Sequence, residues 1–74
     1  MSKHQYIAKL FRYVRHHREE SLRGFAQHFG VNVSTLHRWE RGTRRPKSRY
    51  VQRLIELSPC KSYGDLWNRV YNVK

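Results

Sequence analysis

The sequence predicts an all-α fold, a compact bundle of four to five short helices. Three observations carry this. Apolar residues recur at i, i+3, i+4 and i+7 in successive segments, the spacing of one helix face. Gly and Pro break that period at short intervals, so no helix can be long. No run has the alternation of a half-buried strand.

The elements follow in order. Ile7, Leu10, Phe11 and Val14 form the first stripe and place a helix over about 4–17. Glu19-Glu20-Ser21 is a connector ending on Ser21, a good N-cap. Leu22, Phe25, Ala26 and Phe29 repeat the spacing and predict a second helix over about 22–29. Gly30 stands where a helix end requires positive φ, and Asn32 is suited to cap the next helix. That third helix covers about 33–41, with Leu36 and Trp39 inward and Val33 at the margin. Gly42 stops it, and Gly42-Thr43-Arg44-Arg45-Pro46 is a loop. Tyr50, Val51, Leu54, Ile55 and Leu57 give a fourth helix its face over about 47–57, and Ser58-Pro59 ends it. Ser62-x-x-Asp65 resembles a capping box with Asp in place of Glu. It opens a fifth helix over about 63–72 that presents Leu66, Trp67, Val70 and Tyr71.

The 74 residues make one domain, 1–74, and an apolar fraction of 38% fills one small core. That excludes a multidomain enzyme. No apolar run approaches the roughly 20 residues of a membrane helix. No apolar signal region follows Met1, because Lys9, Arg12 and Arg15 interrupt every window. Cys60 is the single cysteine, so no internal disulfide is possible and a reducing bacterial cytoplasm is the expected location.

Charge narrows the function. Sixteen Lys and Arg against five Asp and Glu give a net charge of +11, and Arg outnumbers Lys eleven to five. The planar guanidinium suits phosphate oxygens and guanine edges, so the balance points to nucleic acid. Residues 1–18 carry five basic groups and no acid, residues 19–42 balance, and residues 43–53 add five more basic groups. Two basic blocks around a neutral centre suit phosphates on either side of a groove.

The second and third helices, joined by Gly30-Val31-Asn32, have the helix-turn-helix arrangement. It demands a small residue where the helices cross, a Gly in the turn and apolar residues facing the core. Ala26, Gly30, Phe25, Phe29, Val31, Leu36 and Trp39 fill all seven positions.

The stretch from Ser21 to Gly42 resembles the phage-repressor and Cro-type helix-turn-helix family. Leu36-x-Arg38-Trp39-Glu40-Arg41-Gly42 followed by Pro46 is especially similar. The resemblance covers about residues 7–57 and implies a lambda-repressor-like fold that binds double-stranded DNA through the major groove. It departs at Gly24, inside the second helix, which costs up to about 1 kcal/mol. Residues 58–74 fall outside it. The family also implies a structural ion pair between Arg15 and Glu40 that orients Arg15 toward phosphate.

A recognition helix turns its N-terminal residues toward base edges. The outward positions are Val33, Ser34, His37 and Arg38. Arg38 suits guanine O6 and N7, Val33 a thymine methyl, Ser34 is permissive, and His37 can donate or accept. Ser21, Arg23, Asn32, Arg41, Thr43, Arg44, Arg45 and Lys47 are the expected phosphate contacts. Trp39 and Trp67 follow the helical stripes and belong to packing, not to base stacking.

No catalytic constellation, cofactor motif or small-molecule site is apparent. His4, His16, His17, His28, His37 and Cys60 lack metal-ligand spacing. The expectation is a non-enzymatic transcriptional regulator, a repressor from a phage, plasmid or other mobile element. It would act as a homodimer, with Leu66, Trp67, Val70 and Tyr71 as the candidate dimer surface. The competing expectations are an accessory factor for recombination, transposition or replication, and an antitoxin-like regulator.

Overall fold

A computed structural model describes residues 3–72; residues 1, 2, 73 and 74 of the expected domain span lie outside the described residues. All regular structure in it is helical: α1 (Lys3–His17), α2 (Leu22–Gln27), α3 (Val33–Arg41), α4 (Ser48–Leu57) and α5 (Tyr63–Tyr71). No helix of the described residues is long and apolar enough to cross a membrane.

Each apolar stripe becomes one wall of a shared core. Leu10, Phe11 and Val14 from α1 meet Phe25 and Ala26 from α2, Leu36 and Trp39 from α3, Leu54 from α4 and Leu66 from α5. Phe29 closes the core at the α2–α3 turn. Its ring lies 5.5 Å from Phe11 and stands perpendicular to Trp39 at 5.9 Å, the edge-to-face arrangement favoured by ring quadrupoles. Trp39 is 3% exposed, which settles its part in packing. α1 runs against α3, α4 and α5, while α2 leans on α3.

α2 is shorter than the expected 22–29 because its last turn tightens. His28, Phe29 and Gly30 N–H groups donate three residues back, and Val31 N–H reaches Ala26 O at 3.4 Å. This is a Schellman ending around Gly30, whose φ is +67°. α3 ends the same way: Gly42 has φ +77°, and Thr43 N–H donates to Arg38 O at 3.1 Å. α1 repeats the device with Glu19 at φ 55° and Glu20 N–H on Arg15 O at 3.2 Å.

α5 packs onto its own chain. Leu66 is fully buried, and the Tyr71 hydroxyl donates to Tyr6 O at 2.8 Å. Leu66 therefore belongs to the core and is not available to a dimer surface. Trp67, Val70 and Tyr71 are partly buried against that core. At the start of α5 the Ser62 hydroxyl accepts from Asp65 N–H at 3.1 Å, which is the Ser half of the capping box.

Candidate nucleic-acid interface

α3 is the element on which the site depends, and its two faces differ sharply. Leu36, Trp39 and Glu40 are buried; Ser34, His37, Arg38 and Arg41 are exposed. Val33 is half-buried at the edge of that outward face.

Both ends of α3 are fixed by polar contacts. At the start, the Asn32 carboxamide oxygen accepts from Thr35 N–H at 2.9 Å and from the Ser34 hydroxyl at 2.8 Å. Its amide nitrogen makes no hydrogen bond among the described residues. At the end, α1 clamps carbonyls that have no helical partner. Gln5 Nε2 donates to Arg41 O at 3.1 Å, and an Arg12 guanidinium nitrogen donates to Glu40 O. The Thr43 hydroxyl donates to Arg38 O at 3.3 Å, so Thr43 also caps this helix end.

The buried Glu40 carboxylate is held by Arg15. Arg15 Nε lies 2.9 Å from Oε2, and an Nη lies 3.1 Å from Oε1. The third guanidinium nitrogen donates to Glu20 O at 3.2 Å. All three nitrogens of Arg15 thus donate inward, and the side chain is only 18% exposed. Arg15 is a strut between α1 and α3 and does not project toward solvent phosphate.

Glu20 gathers a second network at the entrance to α2. Its carboxylate accepts from Arg18 and lies 2.9 Å from His28 Nε2. The Arg18 hydrogen bond, reinforced by His28, holds the Glu20 carboxyl below its ordinary value of 4.5 despite partial desolvation. Arg53 Nε donates to His28 O at 3.3 Å and its guanidinium pairs with Glu56 at 3.0 Å. Sequence periodicity does not reveal the contacts of Gln5 and Arg12 with the end of α3, or of Arg53 with the His28 carbonyl, because these partners lie 36, 28 and 25 residues away.

Two groups among the basic residues differ in their partners. Arg15, Arg18 and Arg53 are committed to acidic partners. Arg23, Arg38, Arg41, Arg44, Arg45 and Lys47 are exposed and form no ion pair among the described residues. These six uncommitted cations lie on α2, on the outward face of α3 and in the loop that follows; Lys9, Arg12, Arg49, Lys61 and Arg69, elsewhere on the chain, are also exposed and without an ion pair among the described residues. Ser21, which caps α2 by accepting from Gly24 N–H at 3.1 Å, and Asn32 are exposed beside them. Among the described residues no three His, Cys, Asp or Glu side chains gather into a metal site.

A family model described as a helix-turn-helix domain matches residues 7–58. No curated protein and no solved structure matches the chain. The matched span runs from Ile7 of α1, which packs against the core, through the end of α4. It contains α2, its Gly30 turn and the whole of α3, with the uncommitted cations on the side away from the core. The chain belongs to the helix-turn-helix domain family of DNA-binding modules.

Proposed function

We propose that this chain is a sequence-specific regulator of transcription, a repressor of the phage-repressor and Cro type carried by a phage, plasmid or other mobile element. It binds double-stranded DNA in the bacterial cytoplasm and represses by covering an operator that polymerase needs. The observation that carries this reading is Arg38, exposed on α3 and without an ion-pair partner among the described residues. An Arg in that position meets guanine O6 and N7 in the major groove.

In this reading Val33, Ser34, His37 and Arg38 face base edges. Ser21, Arg23, Asn32, Arg41, Thr43, Arg44, Arg45 and Lys47 hold the backbone on either side. The protein acts as a homodimer on a palindrome whose half-sites are one helical turn apart. Trp67, Val70 and Tyr71, with the exposed Tyr6 and Tyr63 beside them, form the face left for the second copy.

The test is selection from a random duplex library at physiological salt, with the wild type and with Arg38→Ala. A palindrome whose guanine preference relaxes in the variant supports the repressor. Direct repeats accompanied by bending indicate an accessory of recombination or replication instead. Failure to enrich any sequence overturns the reading.

A further inference from the structure

We infer that Ser34 reads its base pair purely as a hydrogen-bond acceptor, and so selects adenine or cytosine over guanine or thymine on the strand it faces. The inference rests on the reading that α3 enters the major groove.

Alone, a serine hydroxyl is indifferent: it carries one donor and two acceptor lone pairs, and it rotates to suit its partner. Here the partner is already chosen. Thr35 N–H can only donate, so the Asn32 atom 2.9 Å from it must be the carboxamide oxygen. That oxygen also lies 2.8 Å from Ser34 Oγ. An amide oxygen has no proton, so the Ser34 hydroxyl must be the donor between them. Its single proton is spent inside the protein. What the exposed Oγ offers to the groove is its lone pairs.

The major groove divides the bases by the same criterion. Adenine N6 and cytosine N4 present N–H donors, whereas guanine O6 and N7 and thymine O4 present acceptors. An acceptor-only Oγ can pair with the first two. Against guanine or thymine, oxygen lone pairs meet oxygen or nitrogen lone pairs. Rotating the proton outward would forfeit the bond to Asn32 at the moment water leaves the interface. Asn32 is therefore a positioning residue: it fixes the polarity of its neighbour and need not touch the base itself.

The experiment is duplex-library selection with the wild-type chain, Ser34→Ala, Asn32→Ala and Arg38→Ala. In the wild type, one position per half-site is expected to favour adenine or cytosine about threefold to tenfold, the worth of one hydrogen bond. Ser34→Ala is expected to flatten that position alone. Asn32→Ala releases the hydroxyl, so the same position is expected to admit guanine and thymine while Ser34 is still present. A merely structural cap would weaken binding at every position equally. The inference is overturned if the position lost in Ser34→Ala is one that selects guanine or thymine. It is also overturned if Ser34→Ala leaves every preference unchanged while Arg38→Ala alters one, and in that case the groove-reading role of α3 survives. If the wild type selects nothing, both fall together.

Discussion

Arg15 and Glu40 join α1 to the last turn of α3 through paired contacts of 2.9 and 3.1 Å, across 25 residues of sequence. Glu40 is 4% exposed, so its carboxylate has Arg15 as its charge partner and little water. Removing one member of such a pair strands the other, and this costs more than replacing both. Arg15→Ala is expected to lose about 3 kcal/mol, the low end for a buried pair, because the guanidinium keeps some solvent contact. That is a large share of the roughly 4–11 kcal/mol available to a chain of this size. The double replacement Arg15→Met with Glu40→Leu is expected to be more stable than Arg15→Ala alone. Urea denaturation of the three proteins checks the order, and a double variant as weak as the single one refutes it.

The two Schellman glycines differ in their surroundings, which yields a second prediction. Both have positive φ, so Ala at either position pays a backbone cost of about 1 kcal/mol. A Cβ on Gly30 meets nothing within 4 Å, whereas one on Gly42 falls 2.6 Å from the Gln5 side chain. Gly42→Ala must displace Gln5 from Arg41 O as well. It is expected to lower Tm further than Gly30→Ala. In a Gln5→Ala background that extra cost is expected to vanish and the two substitutions to become equal. A difference that persists without the Gln5 side chain would place its origin elsewhere.

What the sequence made legible follows from distance along the chain. The all-helical class was readable because Phe11, Phe25, Leu36, Leu54 and Leu66 sit at helical period, and all five are fully buried. Gly30 and Gly42 were readable as helix ends because positive φ has a residue-type signature. The clamp of Gln5 and Arg12 on α3 was not, since it spans 36 and 28 residues and depends on how the helices cross. Within the candidate site, periodicity identifies the outward face of α3. It says nothing of the hydroxyl proton of Ser34, which a rotamer of Asn32 decides. Leu66 was misread as a surface residue for a related reason. An amphipathic stripe shows that a face is buried, without showing whether the chain's own core or a second copy covers it.

Glu19 is a third helix end, built on a residue ill-suited to it. Its φ of 55° costs a non-glycine residue about 1 kcal/mol, because Cβ crowds the following carbonyl. Its side chain is exposed and makes no hydrogen bond among the described residues. Glu19→Gly is therefore expected to raise Tm by about 4–8 °C, the shift that 1 kcal/mol produces in a domain of this length. An unchanged or lowered Tm in differential scanning calorimetry would show that the unfolded-state entropy of Gly outweighs the relief.

Glu20 supplies a pH dependence. Its carboxyl is held below 4.5 in the folded protein, chiefly by the Arg18 hydrogen bond. Where the folded state releases a proton more readily than the unfolded chain, stability is fully present above the unfolded value. It is then lost as pH falls through the folded one. The loss is expected below about pH 4.5, with no corresponding change toward neutral pH from this group. Glu20→Gln is expected to flatten the acid limb of a plot of unfolding free energy against pH. Arg18→Ala, which removes the chief cause of the lowered value, is expected to shrink that limb as well. A Glu20→Gln protein that keeps the wild-type acid limb would assign it to another carboxylate.

The division of the arginines into committed and uncommitted groups predicts which charges DNA can feel. A cation that neutralises a phosphate releases a counterion, and each one steepens the fall of log affinity with log salt by about 0.9 on B-DNA. Arg44, Arg45 and Lys47 form no ion pair among the described residues. Replacing any one with Gln is expected to reduce the slope by about 0.9 and to weaken binding alike on every sequence. Arg53 is tied to Glu56 and to the carbonyl of His28, the residue that follows α2. Arg53→Gln is expected to leave the slope within error of the wild type and to act on stability alone. Fluorescence titrations of one labelled duplex across a range of salt concentrations measure all four slopes. A full unit lost in Arg53→Gln would show that the surface pair with Glu56 opens to meet the phosphate. The committed group would then have to be counted as part of the interface.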